Sequence, residues 1–251
     1  MAVYKMTSSD EKKSERISKR MSRAGLCSRR EAERWVLAGR VKVNGTKLQD
    51  PAVNVTDEDY ILVDGKPIAD KPETRLWRYN KPTGLVTTHK DEKGRKTVFE
   101  ALPEDLPRVI SIGRLDLNTE GLLLLTNNGE LARFLEHPST GWSRRYKVRA
   151  FGKTDEATLR SLKKGIEYKG ITYGSIDAKL ESVTGDNVWL NLSLTEGKNR
   201  EVRNVLEAIG LKVNRLIRLS YGPFQLGNLK TGHVEEVNRK ALKSSIDKRY
   251  L

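Results

Sequence analysis

The sequence predicts an α+β protein, with a small helix-helix-strand module at the N-terminus and a larger domain built around a mixed or antiparallel sheet. Three observations predict it. Short β-rich runs are interspersed with only a few helical stripes; tight-turn signals such as Asn44-Gly45 and Asp64-Gly65 separate them; and 251 residues suffice for one large core plus an appendage.

Residues 1–13 contain Lys and Ser but lack the roughly 7 to 15-residue apolar centre of a signal peptide, so they read as a disordered basic tail. The small module occupies residues 14–68. Ile17, Met21 and Ala24 recur on one helical face, and Gly25 is placed to end that helix. Ser28 and Glu31 can form a capping box for a second helix carrying Ala32, Trp35 and Val36, which Gly39 stops. Residues 41–43 alternate like a strand before the Asn44-Gly45 turn, and residues 60–63 followed by Asp64-Gly65 supply another strand and turn. Residues 69–74, with Pro67 and Pro72 nearby, form the linker.

The larger domain covers residues 75–235. Its strands are predicted over 76–79, 109–112, 122–125, 188–194 and 212–219. Leu122 to Leu125 is a short unbroken apolar run, the pattern of a strand buried on both faces. Thr154 can cap a helix containing Leu159 and Leu162, and Val202, Val205, Leu206 and Ile209 make a helical stripe ended by Gly210. Residues 236–251 read as a basic terminal helix or tail.

Charge narrows the function. The 47 Lys and Arg outnumber 33 Asp and Glu, a net +14, and a polyanionic partner is the simplest physical explanation. Basic surfaces also bind membranes, but no stretch approaches the ~20 apolar residues needed to span one, so a cytoplasmic location without membrane association is expected. Cys27 is the only cysteine, which leaves no intrachain disulfide and no thiolate metal cluster; it reads as a small buried hydrophobe. His89, His137 and His233 lack metal-ligand spacing, so no metal is expected. Gly152-Lys153-Thr154 resembles the end of a phosphate-binding loop, but Lys147 stands where that loop requires glycine.

Chemistry points to the segment Gly-Arg-Leu-Asp-Leu-Asn-Thr-Glu-Gly-Leu-Leu-Leu-Leu-Thr at residues 113–126. A loop bounded by Gly113 and Gly121 presents Arg114, Asp116 and Glu120 at the rim of a rigid strand, where Arg114 is close enough in sequence to help keep a carboxylate ionised. An Asp held there is a candidate nucleophile. An arbitrary Arg-x-Asp would be an exposed ion pair, but three further segments agree with a catalytic reading.

These segments resemble the RsuA/RluB-type pseudouridine synthases, which isomerise a chosen uridine in ribosomal RNA. The 113–126 segment is similar to that family's catalytic motif, Asn80 to Thr88 to its first motif, and Glu196 to Arg203 to its third. The nearer match is to the large-subunit rRNA branch, through 91–99, 148–152 and 194–203. The resemblance implies that Asp116 is the nucleophile, that Tyr146 stacks on a flipped uracil with its hydroxyl available for proton transfer, and that Arg203 pairs with Asp116. It implies that Asn199 and Arg200 contact RNA, with Arg114 also on the substrate side, and that no cofactor is needed. The 14–68 module resembles the small RNA-binding domain first described in ribosomal protein S-four, through residues 25–32 and 39–45. Its expected RNA-binding set is Arg16, Lys19, Ser28, Arg29, Arg30, Arg40 and Lys42. A monomer acting on ribosomal RNA, or on an assembly intermediate, is expected. The rival readings are a non-catalytic ribosome-assembly factor and an RNA glycosidase using Asp116 and Glu120 as paired carboxylates.

Overall fold

The computed structural model describes residues 14–70 and 72–251; the tail assigned to residues 1–13 lies outside the described residues. Two compact units part between Glu73 and Thr74.

In the first unit, helices Ile17–Arg23 and Arg29–Leu37 pack their apolar faces together, with Ile17, Met21, Ala32 and Val36 fully buried and Cys27 buried beside them. Strand Val41–Val43 lies between Thr46–Lys47 and Ile61–Val63, and Lys66–Pro67 extends this antiparallel sheet. Asn44 (φ 51°) and Gly45 (φ 84°) both adopt the left-handed conformation that a tight hairpin turn demands. Only half of the expected capping box forms. Ser28 Oγ accepts the Glu31 amide at 3.1 Å, but the Glu31 carboxylate accepts from Trp35 Nε1 at 3.0 Å and pairs with Arg34 at 2.6 Å. The sequence reading missed the short pair Glu15–Arg16 with Asn54–Val55.

The second unit is built on a nine-stranded mixed sheet. Its main order is Ile176–Thr184, Asn187–Leu194, Arg144–Phe151, Lys212–Tyr221, Glu120–Thr126, Leu76–Lys81 and Val234–Glu236. Ile110–Ile112 and Phe224–Gln225 pair onto Glu120–Thr126 and Lys212–Tyr221. All neighbours are antiparallel except Lys212–Tyr221 with Glu120–Thr126, which meet in parallel through Ile217 opposite Glu120 and Arg218 opposite Gly121. Gly121 (φ 99°) is obligatory at that crossing, because a Cβ there would collide with the Arg218 backbone. The four leucines behave as a strand covered on both faces: Leu122 and Leu124 pack with Leu131 and Leu135, Leu123 and Leu125 with Trp77 and Tyr79.

Several elements depart from expectation. Helix Glu156–Ser161 is capped by Asp155, whose carboxylate accepts the Thr158 amide at 2.7 Å, rather than by Thr154; one residue later in the chain a carboxylate reaches the first turn. Helix Gly129–Glu136, capped by Asn128, and strands Arg144–Phe151 and Ile176–Thr184 were not anticipated. The terminal segment contains helix Arg239–Ser245, whose Leu242 packs with Ile246 into the same core as Leu131, and Tyr250 stacks on Phe134 at 4.4 Å. No helix among the described residues is long and apolar enough to cross a membrane.

Candidate active site

The loop carrying Asp116 is clamped by the segment that the sequence marks at residues 80–88. Lys81 ends a strand, is fully buried, and donates from Nζ to Pro82 O at 2.9 Å, Asp116 O at 3.2 Å and Thr119 O at 2.9 Å. The Gly84 amide donates to Leu117 O at 2.8 Å. Thr87 Oγ1 donates to Leu115 O at 2.8 Å and accepts the Leu115 amide at 3.3 Å. The Thr119 amide closes the loop onto Asp116 O at 3.0 Å. The backbone around the carboxylate is therefore held by fixed donors while its side chain stays half-exposed. Burial lowers the Lys81 ammonium to about 8, against the attraction of Asp116 and Glu120.

Asp116 opens into a cleft of about 1040 Å³ whose walls include Tyr146, Arg144, Arg218 and the 195–200 loop. Tyr146 is buried on strand Arg144–Phe151, opposite Leu192 on one neighbour and Arg218 on the other. Arg144 is consumed by structure: it donates to Glu196 O at 2.8 Å and to Tyr221 Oη at 2.7 Å, and its guanidinium lies 4.6 Å over the Tyr221 ring. That anchors the third motif to the sheet beside Tyr146.

The pairing implied for Arg203 is made instead by Arg200, whose Nη1 lies 3.6 Å from Asp116 Oδ2. Arg200 immediately precedes helix Glu201–Ala208 in a left-handed conformation (φ 51°), uncommon for a non-glycine residue, which turns its side chain toward the aspartate. Arg203, within the first helical turn, donates to Asn118 O at 2.8 Å and Val213 O at 3.3 Å, so it braces the loop backbone. Burial pushes the Arg203 guanidinium below its usual range and Arg200 adds to this, while Asp116 opposes it. Arg114 lines the cleft but is exposed and forms no ion pair among the described residues, so the charge it was expected to lend Asp116 comes from Arg200. Asn199 also lines the cleft. Arg145, beside the tyrosine, is held by Ser220 Oγ at 3.1 Å and Gln225 Oε1 at 2.7 Å.

Glu120, the second carboxylate that a glycosidase would need, is held by Arg215 at 2.5 Å and is not among the residues lining the cleft. Glu201 is: its buried Oε2 accepts the Lys198 amide at 2.9 Å, while Oε1 has no partner. Burial raises the Glu201 carboxyl to about 7, against the Lys198 amide.

In the small module, Arg29 and Arg30 stand exposed at the start of their helix, and Arg16 and Lys42 are also exposed. Arg40 is bound by Asp64 at 3.0 Å and lies 4.3 Å over Trp35, and Lys19 sits 3.6 Å from Glu15, so acidic neighbours partly neutralise both. The Ser28 hydroxyl is spent on the helix cap. Lys81, Thr87, Arg144, Glu201 and Arg218 escape the sequence reading as site residues. Lys81, Thr87 and Glu201 lie inside segments that carry a motif; nothing local distinguishes Arg144 and Arg218 from surface charges.

This sheet brings an aspartate on a clamped loop and a buried tyrosine to one cleft that Arg114, Arg200 and Arg218 also line, the site of an enzyme suited to an anionic substrate. Comparison with known proteins agrees. Residues 75–208 match the family model for RNA pseudouridylate synthase, and residues 15–61 match that of the S4 domain. An RNA pseudouridine synthase of Rickettsia felis is 53% identical over 228 residues, covering 91% of this chain and 99% of the relative. The ribosomal large subunit pseudouridine synthase B of Escherichia coli K12 is 45% identical over 220 residues, covering 85% of this chain and 75% of that protein. A crystal structure of a pseudouridylate synthase superposes with a TM-score of 0.64 at 26% identity, covering 92% of this chain and 99% of that one. The chain belongs to the RNA pseudouridylate synthase family, with an S4 domain at its N-terminus.

Proposed function

We propose that this enzyme converts uridine to pseudouridine at a chosen site in ribosomal RNA of the large subunit, with Asp116 as the nucleophile. The observation that carries this reading is Asp116 itself: a carboxylate beside Arg200, on a backbone clamped by Lys81, Gly84 and Thr87, facing the same cleft as Tyr146. The 45% identity to a large-subunit synthase supports the choice of RNA.

Asp116 opens the bond between ribose C1′ and N1, either by attack at C1′ or through elimination at the ribose. The freed base turns, C5 bonds to C1′, the C5 proton is lost and N1 gains one, so no atoms are added overall. Tyr146 stacks on the flipped base, and its hydroxyl is available to the C5 proton. Arg200 pairs with Asp116 and orients it, while Arg203 keeps the loop backbone in place. Asn199 and Arg114, at the cleft, meet the RNA, as do Arg29, Arg30, Arg16 and Lys42 of the S4 domain. Ribosomal RNA as substrate places the enzyme in the cytoplasm.

The test uses unmodified large-subunit rRNA transcribed with uridine tritiated at C5. The enzyme should release tritium while the base stays attached; an assembly factor would release nothing, and a glycosidase would release the whole base. Asp116→Asn removes the charge but little volume, so tritium release should cease while RNA affinity stays within a few-fold. Substantial turnover by that variant would rule out the nucleophile.

A further inference from the structure

We propose that Arg218 reads the flipped base: its buried guanidinium donates to a carbonyl oxygen of uracil and thereby excludes cytosine. The inference rests on the proposed stacking of that base on Tyr146. Arg218 and Tyr146 are direct partners in the antiparallel pairing of their strands, so their side chains leave the sheet on the same face. Both are buried, and both line the cleft.

The Arg218 guanidinium is oriented but not satisfied. Its Nε donates to Leu122 O at 2.7 Å, which fixes the plane of the fork, while Nη2 is buried without a hydrogen-bond partner. It forms no ion pair among the described residues. Tyr221, whose ring centroid is 5.3 Å away, offers only its π-face. Arg144 on the same floor has its donors occupied by Glu196 O and Tyr221 Oη, so the contrast is within one site. A guanidinium cannot shed its proton, and a buried donor left open is costly; such a donor is a built seat for an acceptor that arrives with the substrate. The exposed cations Arg114 and Lys93, which line the same cleft, are available to phosphate. A group that reaches the buried Arg218 lies beside Tyr146, its partner across the strands, which describes the base.

The chemistry of the base then explains why a donor suits this reaction. Turning uracil about its N3–C6 axis exchanges N1 with C5, and the same turn exchanges O2 with O4. One fixed donor therefore meets a carbonyl both before and after rotation. Cytosine offers O2 in one orientation but its N4 amino group, itself a donor, in the other, and two donors repel. Arg218 is thus a substrate-contacting residue that selects a base with two acceptors.

The test is analogue interference on the same rRNA transcript, doped at low level with 2-thiouridine or 4-thiouridine, because sulfur is the weaker acceptor. The wild type should disfavour a thio-base at the reacting position by about 10-fold, in binding for one analogue and in turnover for the other. Arg218→Met, which keeps bulk and loses every donor, should process plain uridine about 10- to 100-fold more slowly and lose the discrimination. Arg218→Lys, whose single ammonium cannot hold Leu122 O and the base together, should lose at least fivefold of it and serves if the methionine variant fails to fold. Equal discrimination by wild type and either folded variant overturns the proposal. If the wild type releases no tritium from plain transcript, the proposed function itself has failed, which is a separate outcome.

Discussion

Replacing Lys81 by Met separates the scaffold of the site from the stability of the fold. The side chains are similar in length, but methionine cannot donate, so Pro82 O, Asp116 O and Thr119 O lose the ammonium that bonds them at 2.9, 3.2 and 2.9 Å. Asp116 O keeps the Thr119 amide at 3.0 Å. Of the other two carbonyls only Thr119 O lies in a buried bond; losing its donor costs about 1–3 kcal/mol, and the part-buried Pro82 O adds less. Removing the charge offsets much of that. The fall of the ammonium from 10.5 to about 8, burial less the attraction of Asp116 and Glu120, corresponds to a net penalty of about 3 kcal/mol on the charge, at about 1.4 kcal/mol per pKa unit. Net destabilisation should therefore stay near or below about 3 kcal/mol, and the variant should fold. Catalysis has no such offset, because a loop displaced by about 1 Å costs on the order of 100-fold in rate. Urea unfolding should show the modest loss, and single-turnover tritium release at saturating RNA should show the large one. The pH dependence supplies a second sign. Since the folded-state pKa lies below the unfolded one, wild type should gain stability relative to the variant as pH rises from about 8 toward 10.5. Turnover by Lys81→Met within twofold of wild type would refute the clamp.

Tyr146→Phe keeps the stacking ring and loses the hydroxyl, so RNA affinity should persist while turnover falls; near-normal rates would restrict Tyr146 to packing. Glu201→Gln mimics the protonated carboxyl and keeps an acceptor for the Lys198 amide. Because folding raises the Glu201 pKa to about 7, wild-type stability should decline as pH rises from about 4.5 through 7, and the Gln variant should remove that decline, on the order of 3 kcal/mol by thermal or urea unfolding. Arg29→Ala with Arg30→Ala should weaken RNA binding and flatten the log–log salt dependence by about 0.7–0.9 for each phosphate no longer neutralised, with saturated turnover little changed. Arg40→Ala should do less, because Asp64 already neutralises it; a collapse of the maximal rate with an unchanged salt slope would reverse this division of labour.

Local pattern determined much of the architecture. Leu122 to Leu125 declared a doubly covered strand, because alternate side chains must all be buried to justify four leucines in a row, and two cores do cover them. Asn44-Gly45, Gly25 and Gly210 marked turns and helix ends, because left-handed backbone is a local property of those residues. The loop proposed to carry the chemistry was also legible, since Asp116 lies within a contiguous segment. What tertiary structure alone decided is which groups meet that loop from elsewhere in the chain. Arg200 rather than Arg203 reaches Asp116, because one left-handed residue before a helix redirects a side chain. Lys81 becomes an internal donor only because strand Leu76–Lys81 runs beside Glu120–Thr126 and brings it under the loop. Arg218 becomes part of the floor only because its strand pairs with that of Tyr146, 72 positions earlier in the sequence, in one particular register. Long-range register and burial set the charge, orientation and occupancy of these side chains, and neither is encoded in the identity of a residue or its near neighbours.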